Sequence, residues 1–434
     1  MTQRAPTLPA RRVLMVAYHF PPLAGSSGIQ RTLRFVQHLP AFDWQPLVLS
    51  AHPMAYERTS VDQLADIPAG TVVERAFALD TARHLSIKRR YIRALALPDR
   101  WMTWQYDAVR RGLRMIRRYR PDVLWSTYPV ATAHLIGLAL HRRTGLPWVA
   151  DFRDPMAQEG YPADPATWRS FSRIENATLQ HASAATFTTP SAAGDYRQRC
   201  PPAAGRIHLI ENGYDEESFQ AAAGGATEVQ PEPLTPGALT LLHSGIVYPS
   251  ERDPSCLMAA LKRLHDSGAV SPQRLRLRFR AAVAEDLVRQ LAQKAGVAEY
   301  VEVLPPLPYR AALTEMLHAD ALLVLQASNC NAQIPAKLYE YLRAGRPVLC
   351  LSDPAGDTAA AVRNSGIDAI APLDDVAAIA ALLVRFVNPA DPVLRTLANG
   401  DAVRAASRRS RTGQLAALLQ QVCAAAGAPT APLT

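Results

Sequence analysis

Residues 334–349 read Ile334-Pro335-Ala336-Lys337-Leu338-Tyr339-Glu340-Tyr341-Leu342-Arg343-Ala344-Gly345-Arg346-Pro347-Val348-Leu349. The run predicts a short helix that opens near the proline, ends at the glycine and is followed by a buried strand. The unpaired N–H groups at such a helix start carry about half a positive charge, so a diphosphate binds there naturally. Lys337 adds a full charge, and Glu340 lies three residues later on the same face, where it can accept hydrogen bonds from a ribose. The stretch therefore predicts a nucleotide site.

A plain structural alternative exists for the same residues. Leu338, Tyr341 and Leu342 would pack inward in an ordinary amphipathic helix, while Lys337 and Glu340 form a solvated pair. The sixteen residues alone leave both interpretations open.

Length and composition limit the class of protein. The chain has 434 residues, 48% of them apolar, which is too many for one core and predicts two domains. Its five cysteines are odd in number and never form a C-x-x-C pair, which argues against disulfide, zinc or redox frameworks and predicts a cytoplasmic protein. The apolar run Val13–Ala17 is too short for a signal peptide, and no window of eighteen apolar residues predicts a membrane span.

The net charge of +9 is concentrated in the segment Arg83–Arg120. Bases alternate there with aromatic and aliphatic side chains, and Asp99 and Asp107 are its acidic residues. This pattern favours contact with an anionic membrane, so we expect a peripheral protein on the inner face of the membrane. A solvated helix face is the alternative. Nucleic acid is not expected as a partner, because no known nucleic-acid-binding motif accompanies the charge.

Short apolar runs alternate with helical patterns along the whole chain, as in parallel sheets covered by helices on both faces. Both halves therefore look doubly wound. We expect a first domain over residues 1–219, a linker over 220–237, a second domain over 238–403, a terminal helix over 404–425 and a tail over 426–434. The linker is rich in Ala, Gly and Pro and has no apolar periodicity.

Ligands of open parallel sheets bind at the carboxyl ends of the strands, so the loops after the predicted strands are the candidate site. The loop after the first strand is rich in small residues, which allow a close backbone approach, and Arg31 follows in the helix that it opens. Later strands are followed by a charged pair, by a turn cluster and by a small-residue loop. These segments are His19–Arg31, Phe152–Pro155, Glu211–Asp215 and His243–Gly245.

Three motifs together resemble the glycosyltransferases of GT-B architecture, in particular family 4, the retaining nucleotide-sugar enzymes. They are Tyr18-His19-Phe20-Pro21-Pro22, Glu211-Asn212-Gly213-Tyr214-Asp215 and the stretch from Lys337 to Val348. The resemblance implies an α/β fold with two doubly wound, Rossmann-like domains that face each other across a cleft. It further implies that the first domain receives the acceptor, that the second binds a UDP- or GDP-linked sugar, and that the terminal helix returns to the first domain.

Glu340 corresponds to the second glutamate of the E-x7-E motif of that family, which holds the donor ribose. The first glutamate would stand at Ala332, where this chain departs from the pattern. Gln333, Asn331 or Asn329 can supply hydrogen bonds there but no charge, so we interpret the change as altered donor contact rather than lost activity. Arg153 stands where the family often has a histidine. Arg252 and Lys337 would together replace its phosphate-binding arginine and lysine.

The site predictions can be grouped by role. Breaking a glycosyl phosphate bond leaves negative charge on the diphosphate, which fixed cations and helix amides stabilise without a metal. No D-x-D pair ends a strand, so we expect no cofactor and no obligatory metal, and the resemblance supplies the retention of configuration. The predicted catalytic group is Arg252, Lys337, Arg153, Asp154 and His19; the donor-binding group is Glu340, Gly245, Ser244, Gln333, Ile334, Pro335, Ala336 and Asn331; and the acceptor loop is Gly25, Ser26, Ser27 and Gly28. The alternative for Arg153 and Asp154 is a simple pair with each other, and for His19 and His243 a packed loop histidine.

Three functions remain open from the sequence. The first is a hexosyl-type transferase of polysaccharide biosynthesis that acts on a lipid-linked or polysaccharide acceptor. The second is a non-hydrolysing nucleotide-sugar epimerase, and the third is a catalytically silent GT-B binding protein, which Ala332 suggests.

Overall fold

The computed structural model describes residues 11–25, 28–88, 90–224, 232–394 and 396–427, and within these it divides into two compact units. The first comprises the described residues up to Glu211 and from Arg408 onward; the second runs from Asn212 to Ser407. Each is built around a parallel sheet with helices between most consecutive strands.

The sheet of the first unit has the strand order β3-β2-β1-β4-β5-β6-β7. Its strands are β1 (Arg11–Val16), β2 (Trp44–Ala51), β3 (Val72–Ala76), β4 (Val123–Thr127), β5 (Trp148–Arg153), β6 (Ala184–Phe187) and β7 (Ile207–Leu209). Its helices are α1 (Gly28–His38), α2 (Thr81–His84), α3 (Trp104–Tyr119), α4 (Thr132–Thr144), α5 (Pro165–His181) and α6 (Pro190–Arg199). The order reverses between β1 and β4, so the loops after these strands diverge and open a crevice at the carboxyl edge.

The sheet of the second unit has the order β10-β9-β8-β11-β12-β13. Helix α7 (Glu216–Ala222) precedes it, and the strands are β8 (Leu239–Ser244), β9 (Leu275–Arg280), β10 (Val301–Leu304), β11 (Ala321–Gln326), β12 (Val348–Ser352) and β13 (Ile370–Ala371). Its other helices are α8 (Ser255–Asp266), α9 (Glu285–Lys294), α10 (Tyr309–His318), α11 (Ala336–Arg343), α12 (Asp357–Asn364), α13 (Val376–Val387) and α14 (Gly400–Ala405). The reversal falls between β8 and β11, which places the start of α11 at this crevice. The prediction of two doubly wound parallel sheets is confirmed.

Strand β1 shows why these strands are continuous apolar runs. Leu14 and Val16 belong to the core on one face of the sheet, while Val13 and Met15 belong to the core on the other. Because helices cover both faces, both sets of alternating side chains must be apolar. The terminal helix α15 (Arg408–Gly427) covers part of the second face, where Leu415, Leu418 and Leu419 are buried in the same core as Val13.

The boundary between the units lies at residues 211/212, eight residues before the position expected from composition. Helix α7 contacts α10, and Phe219 is 1% exposed in the core of the second unit. Glu216 accepts two hydrogen bonds of 2.6 Å from Arg343, which fixes α7 there. The segment 212–219 therefore packs with the second unit, and residues 225–231 of the expected linker lie outside the described residues. At the other end of this unit, residues 404–407 precede α15, and residues 428–434 of the expected tail also lie outside the described part.

Of the described helices, none combines the length and apolar character needed to cross a bilayer.

Candidate functional site

Helix α11 begins at Ala336, directly after Pro335, at the carboxyl edge of the second sheet. Leu338, Tyr341 and Leu342 are buried, as the amphipathic interpretation required. Lys337, however, does not form a solvated surface pair. The structure therefore combines the apolar packing of an amphipathic helix with the placement of Lys337 that a nucleotide site needs.

Lys337 lies across the backbone of Gly245. A Cβ atom at Gly245 would lie 2.7 Å from Lys337 Cε and 3.2 Å from Nζ, so a larger residue here would displace the end of the lysine side chain. Burial lowers the pKa of the Lys337 ammonium, Arg252 lowers it further and Glu340 opposes both. An ammonium that is removed from water and faces a second cation gains most from an anion bound beside it.

Arg252 shares a small cavity with Lys337. The cavity has a volume of about 20 Å³ and is also lined by His243, Gly245 and Pro335. Arg252 donates from Nη1 to the carbonyl oxygen of Ile246 at 3.0 Å, and its guanidinium lies 5.1 Å from the ring of Tyr248. These contacts hold the guanidinium on the loop after β8. The structure thus brings Arg252, Lys337 and Gly245 together, as the site prediction proposed.

His243 and Ser244 end strand β8 and are both buried. The Nδ1 atom of His243 lies 2.9 Å from the carbonyl oxygen of Leu323, so Nδ1 carries the proton and Nε2 is an acceptor. The backbone N–H of Ser244 donates to the hydroxyl of Tyr341 at 2.8 Å, which ties the strand to α11. Ser244 as a whole is 1% exposed, so its predicted contact with a donor stays a prediction.

Glu340 is oriented by a residue that the sequence did not single out. The hydroxyl of Tyr309, at the start of α10, donates to Glu340 Oε1 at 2.9 Å. Both side chains are at least partly exposed, so the carboxylate faces solvent at the sheet edge. A carboxylate fixed in this way suits hydrogen bonds from vicinal hydroxyl groups.

The polar loop before α11 separates the predicted amide contacts. Asn331 donates from Nδ2 to Asp353 Oδ2 at 2.6 Å and packs against Gly356, so it braces the loop. Asn329 donates to the carbonyl oxygen of Ser250 at 2.9 Å. Ile334 is buried, whereas Gln333 is exposed, and a contact of Gln333 with a donor sugar beside Ala332 stays a prediction.

Another cavity of the second unit, of about 480 Å³, lies beside this loop. It opens at the ends of β8, β11, β12 and β13, and its lining includes Asp253, Asp353, Asp374, Ser255 and Ser328. Sequence analysis missed these oxygens, because each aspartate follows a different strand and no local motif connects them. Within the described ranges, no cluster of His, Cys, Asp or Glu could hold a metal ion. The absence of an obligatory metal stays a prediction.

In the first unit, His19, Gly28 and Arg153 meet at the carboxyl edge of the sheet. A Cβ atom at Gly28 would lie 2.4 Å from His19 Nδ1 and 2.8 Å from an Nη atom of Arg153. Arg153 has a φ of +63°, which is unusual for a residue other than glycine, and its buried Nε has no hydrogen-bond partner. Strained residues with unsatisfied donors cluster at functional sites. Gly28 of the predicted acceptor loop thus adjoins two predicted catalytic residues, while Ser26 and Ser27 lie outside the described residues.

Asp154 turns away from a simple pairing with its neighbour. Its side chain is exposed, and its Oδ1 lies 3.4 Å from the hydroxyl of Thr188. That hydroxyl donates to the carbonyl oxygen of Arg153 at 2.9 Å. The guanidinium of Arg153 is therefore held beside His19 and Gly28 rather than over Asp154.

A cavity of about 270 Å³ adjoins His19 in the same unit. Gly25 lines it, together with Tyr18, Glu57, Arg58, Arg100 and Trp101. The loop after β1 is fastened to the loop after β2 by two backbone hydrogen bonds, from Ala24 to Arg58 at 3.0 Å and from Ser60 to Pro22 at 2.9 Å. The walls of this cavity are therefore formed before a ligand binds. No local pattern connects Arg58 or Trp101 with His19, because both approach it only in the folded chain.

The buried histidines make stability depend on pH. Burial lowers the pKa of His19, with a contribution from Arg153, and burial also lowers the pKa of His243, in each case to about 4 from an ordinary 6.5. The unfolded chain then binds protons below pH 6.5 that the folded chain does not, so this stability is present above pH 6.5 and is lost as the pH falls towards 4. When the pH is lowered from about 7.5 to about 5, we expect the unfolding temperature of His243→Asn to fall less than that of the wild type.

Differential scanning fluorimetry at both pH values measures this difference. Asp99 and Glu175 have raised pKa values through burial and act in the opposite direction, so the comparison of the two proteins isolates His243. An equal or larger drop in the variant would contradict the assignment.

Comparison with known proteins adds a family and a fold. Residues 27–213 match the family model of the glycosyl transferase 4-like domain. Comparison with curated protein sequences gives no match. The predicted resemblance to GT-B glycosyltransferases is confirmed over that range and in the fold.

Three solved structures have the same fold at low identity. Sucrose-phosphate synthase from Thermosynechococcus elongatus is 16% identical, with a TM-score of 0.64 over 96% of this chain and 100% of that one. An α,α-trehalose-phosphate synthase (UDP-forming) from Burkholderia vietnamiensis is 12% identical, with a TM-score of 0.66 over 97% and 100%. A UDP-N-acetylglucosamine 2-epimerase is 13% identical, with a TM-score of 0.57 over 98% and 100%.

Proposed function

We propose that this chain is a glycosyltransferase that moves a hexosyl group from a nucleoside diphosphate sugar to a lipid-linked or polysaccharide acceptor, with retention of configuration. The observation that carries the proposal is the placement of Lys337 and Arg252 at the amide end of α11, with Glu340 one turn further on. The glycosyl transferase 4-like domain over residues 27–213 supports the same reaction class.

The donor would bind to the second unit. Its diphosphate would accept hydrogen bonds from the N–H groups that start α11 and would lie beside the Lys337 ammonium and the Arg252 guanidinium. Its ribose would donate to Glu340, which Tyr309 holds in place. UDP is the first nucleotide to test, because the names of two structures with this fold contain it.

In the reaction, bond breaking leaves an additional negative charge on the diphosphate. Fixed cations next to the leaving-group oxygen of the diphosphate stabilise the transition state more than the ground state, and no protein nucleophile is needed. His19 is neutral above a pH of about 4, since burial and Arg153 lower its pKa, so it can accept but not donate a proton at neutral pH. In the first unit, Arg153 and the cavity beside Gly25 would receive the acceptor.

The proposed location is the cytoplasm. All five cysteines are free thiols, which fits a reducing compartment. The proposed further partner of the segment Arg83–Arg120 is an anionic membrane surface, where lipid-linked acceptors are found.

We expect UDP to raise the unfolding temperature of the wild-type protein, because a ligand at a hundred times its dissociation constant adds about 2.7 kcal/mol. A panel of UDP- and GDP-sugars, measured by differential scanning fluorimetry, would identify the donor. Glu340→Gln should lose most of the thermal shift with UDP. Its shift with inorganic pyrophosphate should equal that of the wild type, since the carboxylate would contact only the ribose.

Controls separate the alternatives. Glu217→Gln, an exposed glutamate of α7 in the same unit, should behave as the wild type. An equal response of wild type and Glu340→Gln to UDP would refute the site. Conversion of the donor without an added acceptor would favour the epimerase, and binding with neither conversion nor transfer would favour the silent protein.

A further inference from the structure

A short segment of the first unit exposes apolar side chains that a folded protein normally buries. Within residues 85–95, which we term the 85–95 turn, Ile87 is 80% exposed and Ile92 is 69% exposed. Leu85, Tyr91 and Leu95 are each more than a third exposed. Single exposed apolar residues are ordinary, but five within eleven residues mark an interaction surface.

The tip of the 85–95 turn has a defined backbone. Ile87 and Arg90 exchange backbone hydrogen bonds of 2.8 and 3.0 Å, and Lys88 between them has a φ of +50°. These two bonds hold Ile87 and Arg90 opposite each other, and the side chain of Ile87 is exposed there. Ile87 is thus carried on a hydrogen-bonded part of the backbone.

The base of the turn is tied down at both ends. The Thr81 hydroxyl donates to the carbonyl oxygen of Leu95 at 2.6 Å, and the Thr81 N–H donates to that of Arg100 at 2.9 Å. The Asp99 carboxylate accepts from the backbone N–H of Thr132, at the start of α4, at 2.8 Å. The base of the turn is therefore fixed to the rest of the first unit.

The charge on the turn has one sign. No acidic residue occurs from Arg83 to Pro98, and Arg83, Lys88, Arg90 and Arg93 are exposed. Arg93 pairs with Asp164, which leaves the net charge of the turn positive. Bases that surround exposed isoleucines complement a surface with an apolar interior and anionic groups above it.

Helix α3, which carries most of the other bases of the segment, is different. Arg110 and Arg111 form ion pairs with Asp107, and Arg111 also pairs with Glu74. Arg117 and Arg118 are exposed, but the exposed large apolar residue of this helix, Tyr106, lies about three turns away. The helix offers charge without an apolar counterpart.

We propose that the 85–95 turn is the part of the chain that inserts into an anionic bilayer, with Ile87 and Ile92 at the boundary between headgroups and acyl chains and Lys88 and Arg90 at the lipid phosphates. The inference rests on the proposed function for its membrane partner and assigns the contact to this turn instead of α3. Docking here would keep the cavity lined by Arg100 and Trp101, which follow the turn in the chain, close to lipid-borne acceptors.

Co-sedimentation of the full chain with vesicles tests the proposal. The vesicles contain about three parts phosphatidylcholine to one part phosphatidylglycerol, or phosphatidylcholine alone. We expect Ile87→Asp/Ile92→Asp and Lys88→Ala/Arg90→Ala each to lower the partition coefficient on anionic vesicles by at least about tenfold. The matched control Arg117→Ala/Arg118→Ala removes the same charge from α3 and should lower it by less than about threefold.

Three results would overturn the proposal: equal binding to neutral vesicles, no partition of the wild type, or a larger loss in the α3 control than in the turn variants. The thermal shift with UDP is measured on the same proteins and should stay unchanged in the turn variants. Their urea unfolding followed by tryptophan fluorescence, which reports the first unit, should match the wild type and shows that this unit is folded. Because UDP binding depends on the second unit, its failure in the wild type would refute the proposed donor site while leaving the vesicle result to stand by itself.

Discussion

Lys337→Met should lower the rate of sugar transfer by about 10²–10³-fold, the usual loss when one preorganised group that stabilises transition-state charge is removed. Methionine keeps the length and the apolar stem that packs on Gly245, so the change removes the charge with little change in shape. Affinity for the intact nucleoside diphosphate sugar should fall less than the rate, because the diphosphate carries more charge in the transition state than in the bound donor. Transfer assays with kcat and KM determined separately, together with calorimetry of donor binding without acceptor, measure the two losses.

Two further variants make this result specific to the position of the charge. Lys262→Met removes an exposed lysine of the same unit, one that pairs with Asp266 on α8, and should leave the rate within about twofold. Gly245→Ala places a methyl carbon 2.7 Å from Lys337 Cε, which must shift, and should lower the rate in a chain that keeps all of its charges. Equal rates for wild type and Lys337→Met would exclude the ammonium from the reaction, whatever the effect on binding.

The sequence predicted those parts of the molecule that depend on local pattern. The strands follow from continuous apolar runs, and the neighbouring positions of Lys337 and Glu340 follow from a spacing of three residues on one helix. The bond between Ser244 and Tyr341 joins residues 97 positions apart, and the bond between Tyr309 and Glu340 joins residues 31 apart. No local pattern encodes such pairs, so the residues that orient the site were missed.

Composition also misplaced the edge of the first domain. The turn cluster Glu211–Asp215 follows the preceding strand, but it does not show which of the two domains residues 212–219 join. Their assignment depends on Phe219, which is buried in the core of the second unit, and on the pairing of Glu216 with Arg343. A domain boundary is set by which core a side chain enters, and the sequence does not state which of two cores is nearer.

Arg31 shows the same limit within the first unit. Its position in the loop region after β1 suggested a helix start near a ligand, but the structure buries it at 3% exposure against Asp151. Arg31 donates to Asp151 at 2.8 and 2.9 Å and to the carbonyl oxygen of Ile210 at 2.9 Å. Thr127 and Thr186 also donate to this carboxylate, at 2.8 and 2.6 Å. The arginine therefore joins α1, β5 and the end of the first unit.

Arg31→Met should destabilise the first unit by about 3–5 kcal/mol, because it leaves the Asp151 carboxylate buried without its countercharge. Burial alone would raise the pKa of Asp151, but Arg31 and the bond from Thr186 hold it below its ordinary value. The stability that the pair supplies is thus present above the unfolded pKa of about 4 and is lost as the pH falls through the lower folded value. Urea unfolding followed by tryptophan fluorescence reports this unit by itself, since all six tryptophans lie between Trp44 and Trp168.

The double variant Arg31→Met/Asp151→Leu decides whether the loss comes from the stranded charge. Removing both partners should recover a large part of the lost stability, since apolar replacements of a buried ion pair are often near neutral. The exposed pair of Lys262 and Asp266 provides the comparison, because breaking it should cost less than about 1 kcal/mol. If Arg31→Met cost no more than that surface pair, the buried network would not be what holds α1 and its preceding loop at the carboxyl edge of the sheet, and the geometry of His19, Gly28 and Arg153 would need another support.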